Sequence, residues 1–388
     1  MTDDIPVMVT PSIIKWAREN LGYSIKEISE LIPLSESNYE GWENGNIVPT
    51  LDQLRTFSRF VNQPIAFFFR PNPPEVEPLP RDYRTLPSED RIPTSPETRK
   101  VIREVQSKQR VFIDLLDELR KNELVGIIQN LSDPEKHASD IREYFNISFT
   151  RQSAWKNEYT AFKEWREILE QHGFLVFQYK MPVNEIRGFS IPDDVAPVIV
   201  TNKNEHIRSQ IFTLFHEMSH ILLNKGGLCL PERWDLTGTE EVAKVEIFCN
   251  HFAGAFIVPR NYLLSHKYLK GDQGITIEME RKIGGISNSF WVSKEVIVRR
   301  LVILEKIPKS DYREWRKTRS GTSTPVSKSG GGGSGRDIAN ECVGKHGRNF
   351  TSQVLDSYRS EKITYVDIAD SLDIKTKYIP RLEKIVEA

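Results

Sequence analysis

Apolar and polar positions alternate with the period of an α-helix along the first part of the chain. Apolar residues recur at helical spacing from Ile13 to Leu21. The same spacing predicts three further helices, over residues 25–32, 36–43 and 50–61. A proline-rich segment, which can form neither a helix interior nor a central strand, follows at 71–80. The pattern therefore predicts a small helical domain over residues 1–79.

The middle of the chain combines long helical patterns with short apolar runs. Residues 80–130 are predicted to form a proline-rich strap and a helical connector, because 96–122 is highly charged with a thin apolar stripe. Short runs of β-branched and aromatic residues predict three strands, over 174–179, 187–191 and 197–201. Two apolar-rich helices follow, around His216 and over 242–257. We therefore predict one α+β domain with a small sheet over residues 131–320.

A linker and a short helical segment end the chain. Residues 321–337 consist mostly of Gly, Ser and Thr and have almost nothing to bury, which predicts a flexible linker. The run of glycines at 330–333 is typical of an engineered fusion joint, and a natural linker is the alternative. A small helical domain is predicted over 338–388. The predicted fold class is therefore multidomain and mainly α.

The composition narrows the location and the partners of the protein. Its 53 Lys and Arg residues nearly cancel 54 Asp and Glu residues, so any nucleic-acid affinity must come from a local patch. Three cysteines are too few for a disulfide framework and favour a reducing compartment. No apolar run approaches the ~20 residues that span a bilayer. We therefore expect a cytoplasmic protein with no membrane partner.

One apolar-rich helix carries a pattern typical of zinc peptidases. His216 and His220 are four residues apart, so their imidazoles project from one helix face and can bind one zinc ion. Glu217 lies one residue further round, where it can act on a water molecule beside the metal. The pattern predicts a Zn²⁺ site with Glu217 as its catalytic residue. The alternative is a pair of core histidines that bind no metal.

The next helix offers the third ligand that a catalytic zinc needs. Glu246 can supply that ligand, and Asn250 lies one turn further along the same helix. The Asn250 amide can accept an N–H from one histidine and fix its tautomer. If the histidines bind no metal, Glu246 is instead an ordinary surface charge.

Phe212–Leu223 and Glu246–Pro259 together resemble the ImmA/IrrE family of metallopeptidases. Members of that family carry an HExxH helix followed by an E-x-x-A-N-x-F-A motif, in which Cys249 here replaces the usual alanine. The segments Arg187–Ser190 and Pro197–Asn202 resemble the two strands that precede this helix in the family. The resemblance implies a zincin-like fold, a catalytic glutamate and three zinc ligands, at Glu217 and at His216, His220 and Glu246.

A basic segment follows the peptidase motifs. Residues 260–320 carry twice as many basic as acidic side chains, including Lys294, Arg299 and Arg300. These three side chains predict a surface for nucleic acid or for an acidic partner. An ordinary solvated face is the alternative.

The N-terminal helices resemble the Xre (lambda-repressor-like) helix-turn-helix family. The segment Trp42–Leu51 carries the W-E-x-G-x-x-x-P-T-L pattern, which is the most specific part of the resemblance. It implies a DNA-binding domain and a homodimer that reads two half-sites. The expected DNA contacts on the recognition helix are Ser35, Ser37, Asn38 and Tyr39. Residues 1–70 carry six basic and nine acidic side chains, so a docking module for a protein partner is the alternative.

These features together support two hypotheses about function. The first is a zinc-dependent endopeptidase and transcriptional regulator, whose family resemblance implies cleavage of a helix-turn-helix repressor in a stress or mobile-element response. The second is a non-proteolytic regulator or antitoxin-like protein, whose peptidase domain binds or senses a partner such as a cognate toxin. The intact HExxH pattern favours the first hypothesis.

Overall fold

The computed structural model describes residues 5–74, 95–225, 228–229, 241–269, 277–318 and 337–387. The predicted linker up to residue 336 and the predicted connector before residue 95 lie outside these residues. The chain divides into two compact units. One comprises residues 1–79 and 92–107, and the other comprises 80–91 and 108–388. The bounds of the five segments predicted from the sequence stay predictions.

The first unit is built on four short helices, as the helical spacing predicts. They are α1 (Pro11–Leu21), α2 (Ile25–Leu31), α3 (Glu36–Asn44) and α4 (Leu51–Val61). Ser24, Ser35 and Thr50 cap α2, α3 and α4 by accepting hydrogen bonds from backbone N–H groups in the first turn. A separate core of aromatic and aliphatic side chains, with Trp42 and Phe57 among them, holds the helices together.

The second unit contains most of the helices. The residues of a long helix, α5 (Pro96–Leu115), are divided between the two units after residue 107. The helices before the sheet are α6 (Pro134–Tyr144), α7 (Phe149–Ser153) and α8 (Glu158–Gln171). Those after the third strand are α9 (Ile207–Leu222), which precedes the short fourth strand, and then α10 (Glu241–Ile257), α11 (Arg260–Leu264), α12 (Ile277–Phe290), α13 (Lys294–Ile303) and α14 (Lys309–Lys317). The C-terminal helices are α15 (Ile338–His346), α16 (Arg348–Arg359), α17 (Tyr365–Ser371) and α18 (Ile379–Glu387). Among the described residues, no helix is both long and apolar enough to cross a membrane.

A small mixed sheet lies in the second unit. Its strands are β1 (Leu175–Tyr179), β2 (Gly188–Ile191), β3 (Val198–Asn202) and β4 (Leu228–Cys229), in the order β1-β3-β2-β4. β3 pairs in parallel with β1 and antiparallel with β2, and β4 pairs antiparallel with β2. The three predicted strands are confirmed. The sequence gives no signal for β4, which has only two residues.

Gly188 allows α9 to pack closely against the sheet. A Cβ atom at this position would lie 2.5 Å from the Val200 carbonyl oxygen and 2.5 Å from Cγ2 of Thr213. Any larger residue would therefore push α9 away from β2 and β3. On its other side α9 packs against α10, so the HExxH helix lies between the sheet and a second apolar helix.

The C-terminal helices belong to the same unit as the sheet. Arg166 and Glu170 of α8 form a buried ion pair at 2.9 Å. Arg166 donates from Nη1 to the Gly344 carbonyl at 2.7 Å, and the Arg348 backbone N–H donates to Glu170 Oε2 at 3.0 Å. These bonds join α8 to the turn between α15 and α16.

Candidate metal centre

α9 presents two histidines on one buried face. Every residue of α9 from Thr213 to Leu222 is buried, because the sheet covers one side of the helix and α10 covers the other. His216 and His220 are one turn apart, and their Nε2 atoms lie 3.2 Å from each other. Both imidazoles therefore direct the same nitrogen towards one point, as the four-residue spacing predicts.

Glu246 of α10 completes a cluster of three groups. One carboxylate oxygen lies 3.5 Å from His216 Nε2, and the other lies 3.2 Å from His220 Nε2. All three side chains are at most 2% exposed. Two imidazole nitrogens and one carboxylate oxygen form the donor set of a His₂Glu zinc site, which keeps a further position open. The residues present therefore fit a catalytic zinc ion.

The surroundings of His220 favour a positive charge. Burial lowers the pKa of His220, but Cys249 and the Glu246 carboxylate raise it more, so it stands well above its usual value. Burying this group of polar side chains without a compensating charge would be costly. A cation is therefore well suited to this position.

Glu217 is fully buried and accepts a hydrogen bond from a residue of the sheet. Ser190 of β2 is also fully buried, and its hydroxyl donates to Glu217 Oε2 at 2.8 Å. Sequence reasoning missed Ser190 as a site residue, although it ends the Arg187–Ser190 segment that matches a strand of the family. Only the pairing of β2 with β3 beside α9 brings this hydroxyl to the carboxylate.

Asn250 does not take the role that the sequence predicts. Its side chain makes no hydrogen bond to a histidine in the described part of the chain, and it lines a neighbouring cavity. Cys249, the preceding residue, is buried and contacts His220. The prediction for Asn250 is wrong because the residue that faces the histidines is three positions after Glu246, not four.

Comparison with known protein families gives two matches along the chain. Residues 169–302 match the IrrE N-terminal-like domain of peptidase family M78, and this region contains His216, His220 and Glu246. Residues 14–68 match a helix-turn-helix family. The chain joins an IrrE-type peptidase domain to a helix-turn-helix domain. No curated protein matches it.

The three basic residues after the IrrE-type motifs do not form one exposed surface. Lys294 is exposed. Arg299 is 11% exposed and donates to Glu295 at 2.7 Å, and Arg300 is 1% exposed and forms an ion pair with Glu135. The prediction of a basic binding surface is therefore wrong for Arg300, whose buried charge is paired with Glu135 inside the second unit.

The recognition helix of the helix-turn-helix domain exposes three of the four predicted DNA contacts. Ser35, Ser37 and Asn38 are exposed, and Ser35 also caps α3 by accepting a hydrogen bond from the Asn38 backbone. Tyr39 is fully buried between Trp42 and Phe57. The prediction that Tyr39 contacts DNA is wrong, because its aromatic ring belongs to the core.

Proposed function

We propose that this chain is a zinc-dependent endopeptidase linked to a helix-turn-helix regulator. The observation that carries the proposal is the buried convergence of His216, His220 and Glu246 beside Glu217. In this assignment the two histidines and Glu246 hold the metal. Glu217 is the catalytic residue.

The chemistry divides between the metal and the side chains. Zinc, when bound, acts as a Lewis acid and makes water a better nucleophile near neutral pH. The Glu217 carboxylate accepts a proton from water as the water oxygen bonds to the peptide carbonyl carbon. The C–N bond then breaks, and Glu217 gives its proton to the leaving amine nitrogen. Ser190 keeps the carboxylate oriented through both proton transfers.

The substrate proposed is a helix-turn-helix repressor. Support comes from the resemblance to ImmA/IrrE peptidases and from the helix-turn-helix domain in the same chain. This domain is the proposed DNA-binding part, and release of repressed genes in a stress or mobile-element response is the proposed outcome.

Glu217→Gln separates metal binding from catalysis. We expect wild type and variant to carry equal zinc by mass spectrometry, because Glu217 is not a ligand. Cleavage of helix-turn-helix repressors and of a proteome-derived peptide mixture should fall at least about 100-fold, the usual contribution of a general base.

Two outcomes of this experiment would contradict the proposal. Equal cleavage by wild type and Glu217→Gln would show that another group carries the reaction. If neither protein cleaves anything while both bind zinc and retain regulatory activity, a non-proteolytic regulator is the better description.

A further inference from the structure

A cavity of about 220 Å³ adjoins the candidate metal centre. It lies between α10, α13 and α14, and Phe212 of α9 forms one wall. Phe212 is one turn before His216, and the centroids of their rings are 6.2 Å apart. Ile247, the residue after Glu246, also lines the cavity. The cavity therefore lies beside the candidate metal centre, with the Phe212 ring between the cavity and His216.

The lining of the cavity is apolar, and its charges are already paired. Val296, Val302 and Ile303 contribute aliphatic walls, and no acidic side chain lines it among the described residues. Arg299 donates to Glu295 at 2.7 Å and to the Tyr312 hydroxyl at 3.0 Å. Arg300 is paired with Glu135. A charged occupant would find no complementary charge, so the cavity suits an apolar group.

On the basis of the proposed function, we propose that this cavity receives one apolar side chain of the peptide substrate, next to the bond that is cut. An apolar cavity of about 150 Å³ can hold benzene, so this volume accepts a leucine, methionine or phenylalanine side chain. The cavity then determines which bonds in a repressor are cut.

Two substitutions test the proposal in opposite directions, and a third is the control. Ile303 is 40% exposed and Ile247 is 46% exposed, so substitutions at either position should change the stability of the fold little. Ile303→Phe narrows the cavity, and Ile247→Ala widens it. Val366→Phe is the matched control, because Val366 lies on α17 away from the cavity and is 60% exposed.

The first measurement is the residue preference of the zinc-loaded full-length chain on a randomised octapeptide pool, with products identified by mass spectrometry. Wild type and Val366→Phe should prefer Leu, Met or Phe at one position beside the cut. Ile303→Phe should shift the kcat/KM ratio of Phe over Ala at that position by at least about tenfold towards Ala. Ile247→Ala should shift the preference at the same position towards the larger side chains of Phe or Trp. An unchanged preference in both cavity variants overturns the proposal.

The second measurement needs no catalysis. N-acetyl-4-fluorophenylalanine amide is the probe, and its ¹⁹F line width is followed with full-length Glu217→Gln. We expect the ¹⁹F line of the probe to broaden with Glu217→Gln and with the double variant that also carries Val366→Phe. It should stay narrow with the double variant that also carries Ile303→Phe. Equal broadening with Ile303→Phe overturns the proposal. If wild type cleaves no peptide but Ile303→Phe abolishes probe binding, the proposed function fails while the cavity remains an apolar recognition site.

Discussion

Ser190 connects the sheet to the Glu217 carboxylate, the proposed catalytic group, through a single hydroxyl group. A hydrogen bond to a charged group contributes about 1.5–3 kcal/mol, and each ~1.4 kcal/mol is a factor of ten. Ser190→Ala should therefore lower kcat by about 10- to 100-fold while KM and zinc content change little. Steady-state kinetics on a peptide substrate of the wild type would measure both constants.

Ser219 provides a matched control for this substitution. It is also a fully buried serine, but its hydroxyl donates to the His216 backbone carbonyl at 2.6 Å and not to Glu217. Ser219→Ala should leave kcat within a few-fold of wild type. If the two variants lose activity equally, loss of a buried hydroxyl explains the effect and the positioning role of Ser190 is refuted.

The recognition helix gives a second prediction at the level of single residues. Asn38 is exposed on α3, whereas Tyr39 is buried beneath it. Asn38→Ala should weaken binding to a DNA site selected by the wild type about tenfold, within the ~1–3 kcal/mol of a base contact. Tyr39→Phe should leave affinity unchanged. Fluorescence anisotropy at fixed salt measures both, and unchanged binding by Asn38→Ala would exclude this contact.

The sequence predicts which side chains lie together where the spacing along one helix is sufficient. His216 and His220 follow from a four-residue spacing, and Glu246 follows from the need for a third ligand. Ser190 depends on strand pairing, which no local pattern encodes. Cys249 and Asn250 are adjacent on one helix, so only the packing of α10 decides which of them faces the histidines.

Three helices of the second unit meet at Glu135. This carboxylate, in the first turn of α6, lies 2.8 Å from His251 Nε2 of α10 and 3.0 Å from Arg300 Nη2 of α13. Arg300 also donates to the Val258 carbonyl at 3.1 Å. The sequence pattern cannot reveal this pairing, because Glu135 and Arg300 are 165 positions apart. For this reason the sequence alone predicts Arg300 to be an exposed basic residue.

Glu135→Gln should destabilise the domain, because it leaves the buried Arg300 guanidinium without its countercharge. Removal of one partner of a buried pair costs about 3–5 kcal/mol, and the partial exposure of Glu135 places the expected loss near the lower end. Urea unfolding would measure it. Glu167→Gln, which removes the partner of Lys163 in an exposed pair, should cost less than about 1 kcal/mol.

The stabilisation by Glu135 should depend on pH in a defined direction. Burial raises the pKa of Glu135, but hydrogen bonds from His251 and Arg300 lower it more, to about 2 from 4.5. A carboxyl whose pKa is lower in the folded state stabilises the protein above its unfolded value. The difference between wild type and Glu135→Gln should therefore be full above pH 4.5 and shrink as the pH falls towards 2. A constant difference across that range would contradict this account.

At the scale of the whole molecule, the described residues include one hydrophobic core among α1–α4 and another around α9 and α10. The helical periods predict both groups of helices, and the short apolar runs predict the three longer strands. Their arrangement follows from long-range packing, which the periodicity does not specify.

Metal removal should affect these two cores differently. EDTA treatment of the zinc-loaded chain should increase the amide exchange rates of α9 and α10, because the buried His216, His220 and Glu246 side chains lose their common charge partner. The amides of α1–α4 should keep their rates and serve as the internal control. Hydrogen–deuterium exchange with mass spectrometry would measure both groups. Equal changes in both groups, or none in α9 and α10, would contradict the assignment of the metal ligands.

The covering of β1 has a consequence for any shortened form of the chain. β1 is an outer strand of the sheet, and the Arg166 guanidinium donates to its Val176 carbonyl while α15 packs along it. A chain trimmed to residues 169–302, the region of the family match, would lose α15 and the Arg166 side chain together. The unsatisfied backbone groups of β1 would then pair with strands of other molecules. Such a fragment would also lack α6, α7 and most of α8, which contribute to the core around α9 and α10. Its aggregation would therefore reflect an uncovered strand and an incomplete core, and would not test the metal centre.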